Sequence, residues 1–217
     1  MNEYKQQLED ITAIRQMMAE STRFLSLSGL SGVSAGIVAL IGAAVTYLYL
    51  EGQGLYGQMA SRSVVITVKL SQLATLVLIA LGILLIAATL AFVFTRRNAQ
   101  KRGQRLWSPS SRKVLLNMLI PLVAGALFCI LLTYHGFGKL VGPATLIFYG
   151  LALVNAGKYT HQEIYQLGLV EIGLGLVSGM MPGSSIIFWA IGFGVLHILY
   201  GIIMYFKYER QREGSPQ

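Results

Sequence analysis

Charge is what this chain has least of. Only 12% of its 217 residues are charged, against about a quarter in an ordinary soluble domain, which argues against a soluble fold. Cysteine occurs once, at Cys129 inside an apolar run, so neither an intrachain disulfide framework nor a multi-cysteine metal site is available. Aspartate also occurs once, at Asp10, and histidine three times. His-Glu-x-x-His, Gly-x-Ser-x-Gly, a phosphate loop and any histidine cluster for haem or metal are all missing, so no catalytic residues, cofactor or metal are expected. A cleavable signal peptide is not expected either. Residues 1–24 mix charged and apolar side chains and lack a compact hydrophobic core followed by a small-residue cleavage site.

What the chain does have is apolar length. Hydrophobic residues make up 54% of it, with 24 glycines, and six apolar segments stand out: Leu25 to Leu50, Val64 to Phe94, Val114 to Tyr134, Leu140 to Gly157, Ile164 to Met181 and Ile186 to Phe206. Each is long enough to cross a bilayer as a helix, the fourth and fifth lying near the lower bound of about 17 residues. The second is overlong, roughly 46 Å at the helical rise, so it must tilt or project. The fold expected is an all-α membrane protein, a six-transmembrane helical bundle over residues 25–206. An amphipathic N-terminal helix (1–24) precedes it and a short tail (207–217) follows.

Basic residues orient the bundle. With the N-terminus in the cytoplasm, Arg62, Lys69 and Lys139 fall outside and the other 14 of the 17 lysines and arginines fall inside. The positive-inside rule thus places both termini in the cytoplasm of a bacterial inner membrane or its equivalent. The same topology accounts for "RRNAQKRGQRLWSPSSRK" (96–113) and the net charge of +8. Arg96, Arg97, Lys101, Arg102 and Arg105 form a cytoplasmic loop facing anionic lipid head groups, and no nucleic-acid module accompanies them. In residues 1–24, Tyr4, Leu8, Ile11, Met18 and Leu25 make one helical stripe. The opposite face carries mixed charge, unlike the lysine-rich face of a lipid-binding helix, which suits a protein partner or self-association.

Small residues organise the membrane part. Ser28, Gly32 and Gly36 recur every four residues in the first span, and Glu171, Gly175 and Gly179 do so in the fifth. The sixth has Ala190 and Gly194, then His197 and Gly201. Such stripes let helix backbones approach closely, and the first, fifth and sixth spans are expected to pack together.

Within these stripes sit two ionisable groups, Glu171 and His197. Both are 13 residues from Ser184, in the turn between the last two spans, so an antiparallel hairpin brings them to similar depth. Rise from an inner boundary near Tyr165 and Phe206 puts Glu171 about 9 Å deep and His197 about 13 Å deep. An ionised acid inside a membrane helix costs roughly 2.5 to 3.5 kcal/mol, so Glu171 must find a partner, reach water or stay protonated. Ser28, Asn117 and Asn155 fall in the same inner half and are candidates to line a polar cavity with the pair. Thr160 and Glu163 have the spacing of a capping box for the fifth span. Two functions fit. One is a membrane scaffold, sensor or accessory subunit acting through helix packing and cytoplasmic partners; the other is a small-solute or ion pathway with a proton-sensitive Glu171/His197 element.

Overall fold

The computed structural model describes residues 27–60, 68–101, 103 and 107–210. The N-terminal stripe, Arg102 and Arg105 lie outside the described residues. Among the described residues every regular element is helical: α1 (Gly29–Gly52), α2 (Leu55–Ala60), α3 (Leu70–Lys101), α4 (Pro109–Tyr134), α5 (Val141–Gly157), α6 (Gln162–Met180) and α7 (Ser185–Arg210). Short 3₁₀ turns, Gly138–Leu140 and Pro182–Ser184, lead into α5 and α7. The last helix changes pitch along its length, being π-helical over Ala190–Leu196 and again over Tyr205–Arg210.

Five of these helices are long and apolar enough to cross a membrane: α1, α3, α4, α5 with its leading turn, and α7. The remaining long helix, α6, has 19 residues. Gln162, Glu163, Gln166 and Glu171 dilute its apolar sequence. The chain is thus an all-α protein with several apolar, membrane-length helices.

Helix ends differ from the apolar runs because caps and tertiary contacts set them. α4 begins at Pro109, five residues before Val114. Ser108 accepts the Ser111 N–H at 3.1 Å, the Ser111 hydroxyl accepts the Ser108 N–H at 2.8 Å, and Pro109 occupies the first turn, where its missing N–H costs nothing. α3 runs past Phe94 to Lys101, and its buried residues, Asn98 and Ala99, belong to that extension. There the Asn98 amide donates to the Leu27 carbonyl at 3.4 Å. Residues 207–210, expected in the tail, continue α7. α6 takes His161, one residue past Thr160, as its N-cap, and Glu163 is engaged with Lys207.

Packing divides the bundle into two groups. α1 lies between α3 and α7, α5 lies between α4 and α6, and α7 joins the groups through α5 and α6. Glycine makes the α1–α7 seam. A Cβ on Gly36 would sit 2.6 Å from the Gly194 carbonyl oxygen, one on Gly32 3.1 Å from Gly201 Cα, and one on Gly201 2.6 Å from the Val33 nitrogen. The small-residue stripe of α6 faces α5 instead of α1. A Cβ on Gly168 would lie 2.7 Å from the Gly150 carbonyl oxygen, and one on Gly175 2.7 Å from Ile147 Cγ1. Gly179 has only Pro143 Cβ near it, at 3.9 Å. The expected three-way packing of the first, fifth and sixth spans is therefore split, since α6 turns its glycines toward its sequence neighbour.

Gly36→Val should destabilise the protein by about 1–3 kcal/mol, because backbone on the facing helix has no rotamer with which to yield. Gly82→Ala, which meets open space, should be neutral or stabilise by up to about 1 kcal/mol through helix propensity. Reversible unfolding in mixed micelles compares the two, and equal stabilities would refute the close-packed seam.

Candidate functional site

Glu171 stands nine residues from each end of α6, about 14 Å by helical rise. Tyr149 stands eight residues from each end of α5, and His197 is 12 and 13 residues from the ends of α7. The three residues therefore share the mid-depth of the bundle. The rise from Tyr165 to Glu171 and from Phe206 to His197 is still about 9 and 13 Å, with α6 beginning three residues before Tyr165 and α7 running four beyond Phe206.

His197 is the centre of the group. Its Nδ1 lies 3.0 Å from the Gly192 carbonyl oxygen, and a carbonyl only accepts, so Nδ1 carries a proton and donates. Nε2 of the neutral ring is then the acceptor, and the Tyr149 hydroxyl donates to it at 2.8 Å. The Gly192 carbonyl belongs to the π-helical stretch, a distortion found frequently at functional sites. Aromatic rings wall the imidazole: Phe193 stacks on it at 5.9 Å between centroids, Tyr149 lies 4.8 Å from Phe193, and Trp189 lies 4.8 Å from Phe193 on α7 itself.

Glu171 is 0% exposed. Its Oε1 is 3.5 Å from His197 Nδ1, beyond ordinary N–H···O range, and neither carboxyl oxygen has a hydrogen-bond partner among the described residues. Packing around it is tight: a Cβ on Gly192 would come within 2.5 Å of both Glu171 Oε2 and Leu146 Cδ2. A second orphan, the Ser178 hydroxyl, lies two turns along α6 and is likewise wholly buried. Nearly all buried polar groups in folded proteins are paired. The centre therefore holds a satisfied histidine beside an unsatisfied acid.

The other sequence candidates lie apart from this centre. Ser28 is buried at the start of α1, where its hydroxyl donates to Glu209 Oε2 at 3.2 Å while the Gly29 N–H donates to Oε1 at 2.5 Å. The Asn117 amide folds back on its own helix to the Lys113 carbonyl at 2.8 Å. Asn155 is half-buried, about 9 Å along α5 from Tyr149 by rise. Arg96, Arg97 and Lys101 are exposed at the end of α3.

That basic end carries a second cluster. Lys207 Nζ donates to Glu163 Oε1 at 2.6 Å, the Tyr208 hydroxyl reaches both Glu163 oxygens at 3.1 Å, and the His161 ring packs on Tyr208 at 4.2 Å. With Glu209 seated on the first turn of α1, the end of α7 is latched to both α6 and α1. An anionic side chain there also suits the positive end of the α1 dipole.

Sequence reasoning passed over Tyr149, Lys207 and Glu209. Tyr149 did carry a signal. A phenol at the middle of an apolar span, away from either interface, must hydrogen-bond within the bundle. The latch had none, since nothing in sequence pairs residue 209 with residue 29.

Among the described residues no three His, Cys, Asp or Glu side chains cluster as metal ligands. Comparison with protein families, with curated proteins and with solved structures finds no match.

Tyr149→Phe should cost about 1–3 kcal/mol, because it strands a buried imidazole nitrogen. Asn117→Ala, off the cluster, should stay within about 0.5 kcal/mol. Glu163→Gln should cost no more than about 1 kcal/mol, since Lys207 is 57% exposed and solvent screens the pair. Unfolding in the same micelles ranks the three, and a Tyr149→Phe variant as stable as Asn117→Ala would show that the hydroxyl contributes nothing.

Proposed function

We propose that this chain is a membrane sensor or accessory subunit whose responsive element is the Tyr149, His197 and Glu171 cluster. In this reading α6 is the sixth span, both termini face the cytoplasm of a bacterial-type inner membrane, and exposed Arg96, Arg97 and Lys101 meet anionic head groups. Residues 1–24 are the surface for a protein partner or for a second copy.

One observation carries it: a wholly buried carboxyl at mid-depth, unpaired, 3.5 Å from a histidine already bonded on both nitrogens. An acid kept only as structural glue would spend its oxygens on donors, since an unsatisfied polar group in hydrocarbon is costly. Here the donors go elsewhere. Any proton gained or lost by the cluster must rewrite its hydrogen bonds, which is the behaviour of a sensor. Complete burial of the Glu171 carboxyl, with Gly192 packed against Oε2, favours sensing over solute passage.

The mid-depth position of Glu171 favours a second reading, an ion or proton pathway, since intramembrane acids mark such routes. Infrared difference spectra of the reconstituted protein, between mildly acidic and mildly alkaline buffer, test the first reading. A carboxyl band that changes with pH and vanishes in Glu171→Gln is expected; an invariant spectrum overturns the proposal. Vesicles loaded with a pH indicator test the second. Proton flux that Glu171→Gln abolishes would transfer the assignment to transport, and equal, background-level flux in both proteins would leave it with sensing.

A further inference from the structure

We propose that Glu171 exchanges its proton only with the compartment at the Pro182 turn, along the seam between α5 and α6 past Ser178; this rests on the sensor reading of the cluster. Wholly buried and without a donor to either oxygen, Glu171 rests as the uncharged acid. What such an acid responds to depends on which end of the bundle its proton can reach. Toward the basic end the way is closed. Leu153 of α5, Ile164 and Leu167 of α6 and Met204 of α7 form a buried apolar cluster between Glu171 and the Glu163 latch, with Leu196 packed against it. Backbones meet in the same stretch: a Cβ on Gly157 would lie 2.6 Å from Tyr165 Cβ, and one on Gly168 2.7 Å from the Gly150 carbonyl oxygen. An apolar plug of this kind stays dry.

Toward the Pro182 turn the seam changes character. A Cβ on Gly175, one turn from Glu171, would still lie 3.0 Å from the Pro143 carbonyl oxygen, whereas one on Gly179 would have only Pro143 Cβ near it, at 3.9 Å. Close backbone contact ends over that turn. The Ser178 hydroxyl stands at this point, 0% exposed and without a hydrogen-bond partner among the described residues. Beyond it the Ser185 hydroxyl donates to the Lys139 carbonyl at 3.0 Å, the bond that Pro143, lacking an N–H, cannot supply. Polar groups thus run from Glu171 through Ser178 to Ser185 along this half of the bundle, and buried orphans of this kind are where internal water binds.

Helical rise separates Glu171 from Ser178 by about 10 Å, which roughly three hydrogen-bonded waters span. The acid O–H gives its proton to the nearest water of such a transient file, leaving a carboxylate beside His197 Nδ1–H at 3.5 Å. The proton departs as hydronium past Ser178, whose hydroxyl both accepts and donates, and returns the same way. Few other titratable groups face this route: Tyr149 from α5, His197 from α7, and Lys139 in the turn ahead of α5. Glu163, Lys207 and Tyr208 lie beyond the apolar plug. A proton that enters from the Pro182 end therefore cannot leave at the other, so the cluster reports one compartment and conducts nothing.

Infrared difference spectra test this in sealed membrane vesicles of both orientations, right-side-out and inverted, with pH changed only in the external buffer. A membrane-impermeant thiol reagent identifies the outer face of each preparation, using two exposed positions in a Cys129→Ser background: Gln53→Cys, next to the α2 helix that packs on the Pro182–Ser184 turn, and Lys158→Cys at the basic end. The carboxyl band that Glu171→Gln removes should change only in the preparation whose outer face labels Gln53→Cys. A change confined to the other preparation, present in both, or absent until a protonophore equilibrates the two sides would overturn the one-sided route and leave the sensor standing. No change even with the protonophore would remove both. Should Glu171→Gln not fold, Gly179→Cys decides, since a side chain has room there. The thiol reagent attached at that position should abolish the carboxyl change in the responding preparation. A thiol that stays unlabelled, or a change of undiminished size after labelling, would overturn the proposal.

Discussion

The hydrogen bond from His197 Nδ1 to the Gly192 carbonyl is the constraint around which the centre of this protein is arranged. It fixes the tautomer, which makes Nε2 an acceptor and gives the mid-depth Tyr149 hydroxyl its place. It also withholds the imidazole proton from Glu171, leaving the acid adjacent but unpaired. A bilayer interior supplies no water to satisfy stray polar groups, so each donor must be allotted within the bundle. The allotment here favours a backbone carbonyl over a carboxyl.

Glycine makes that arrangement sterically feasible. At 192 the lack of a side chain lets the α6 carboxyl lie against α7, and at 36, 194 and 201 it brings α1 and α7 to backbone contact. These are close-approach positions: a single methyl group would meet a carbonyl or carboxyl oxygen at 36, 192 and 201, and the Leu40 side chain at 194. The polar centre and the helix seam thus use the same device on two faces of α7. The third contribution comes from the end of that helix, where Glu209 and Lys207 tie it to α1 and α6.

Much of this was legible beforehand. The all-α character and the apolar runs follow from composition, and the depth matching of Glu171 and His197 follows from counting residues to a turn. Small-residue spacing identified Gly36, Gly194 and Gly201 as packing residues. Which helix each stripe would face was not legible, because periodicity fixes a face relative to its own axis and says nothing of its partner. The α6 glycines show this, having turned to α5. Nor was the π stretch legible. Its residues are ordinary helix-compatible apolar residues and glycines, and the His197 ring bonds a carbonyl within it one irregular turn away.

Among the described residues the long helix not counted as apolar enough to cross a membrane, α6, is the one on which the functional reading turns. A helix with little buried surface suits an apolar surrounding by being nearly all apolar, as α3 is from Leu76 to Phe94. A helix packed on others can carry polar groups on its buried face if its neighbours answer them. α6 meets Lys207 and Tyr208 at Glu163, the histidine of α7 at Glu171, and the glycine and proline face of α5 between Gly168 and Gly175. The same residues that lower its hydropathy face α7 at both ionisable positions, while Leu169, Val170, Leu176 and Val177 make an exposed apolar face on its other side. Of those partnerships the one at Glu163 is closed by short bonds, and the one at Glu171 is left open. That asymmetry separates a fixed attachment from a group still able to change its bonds.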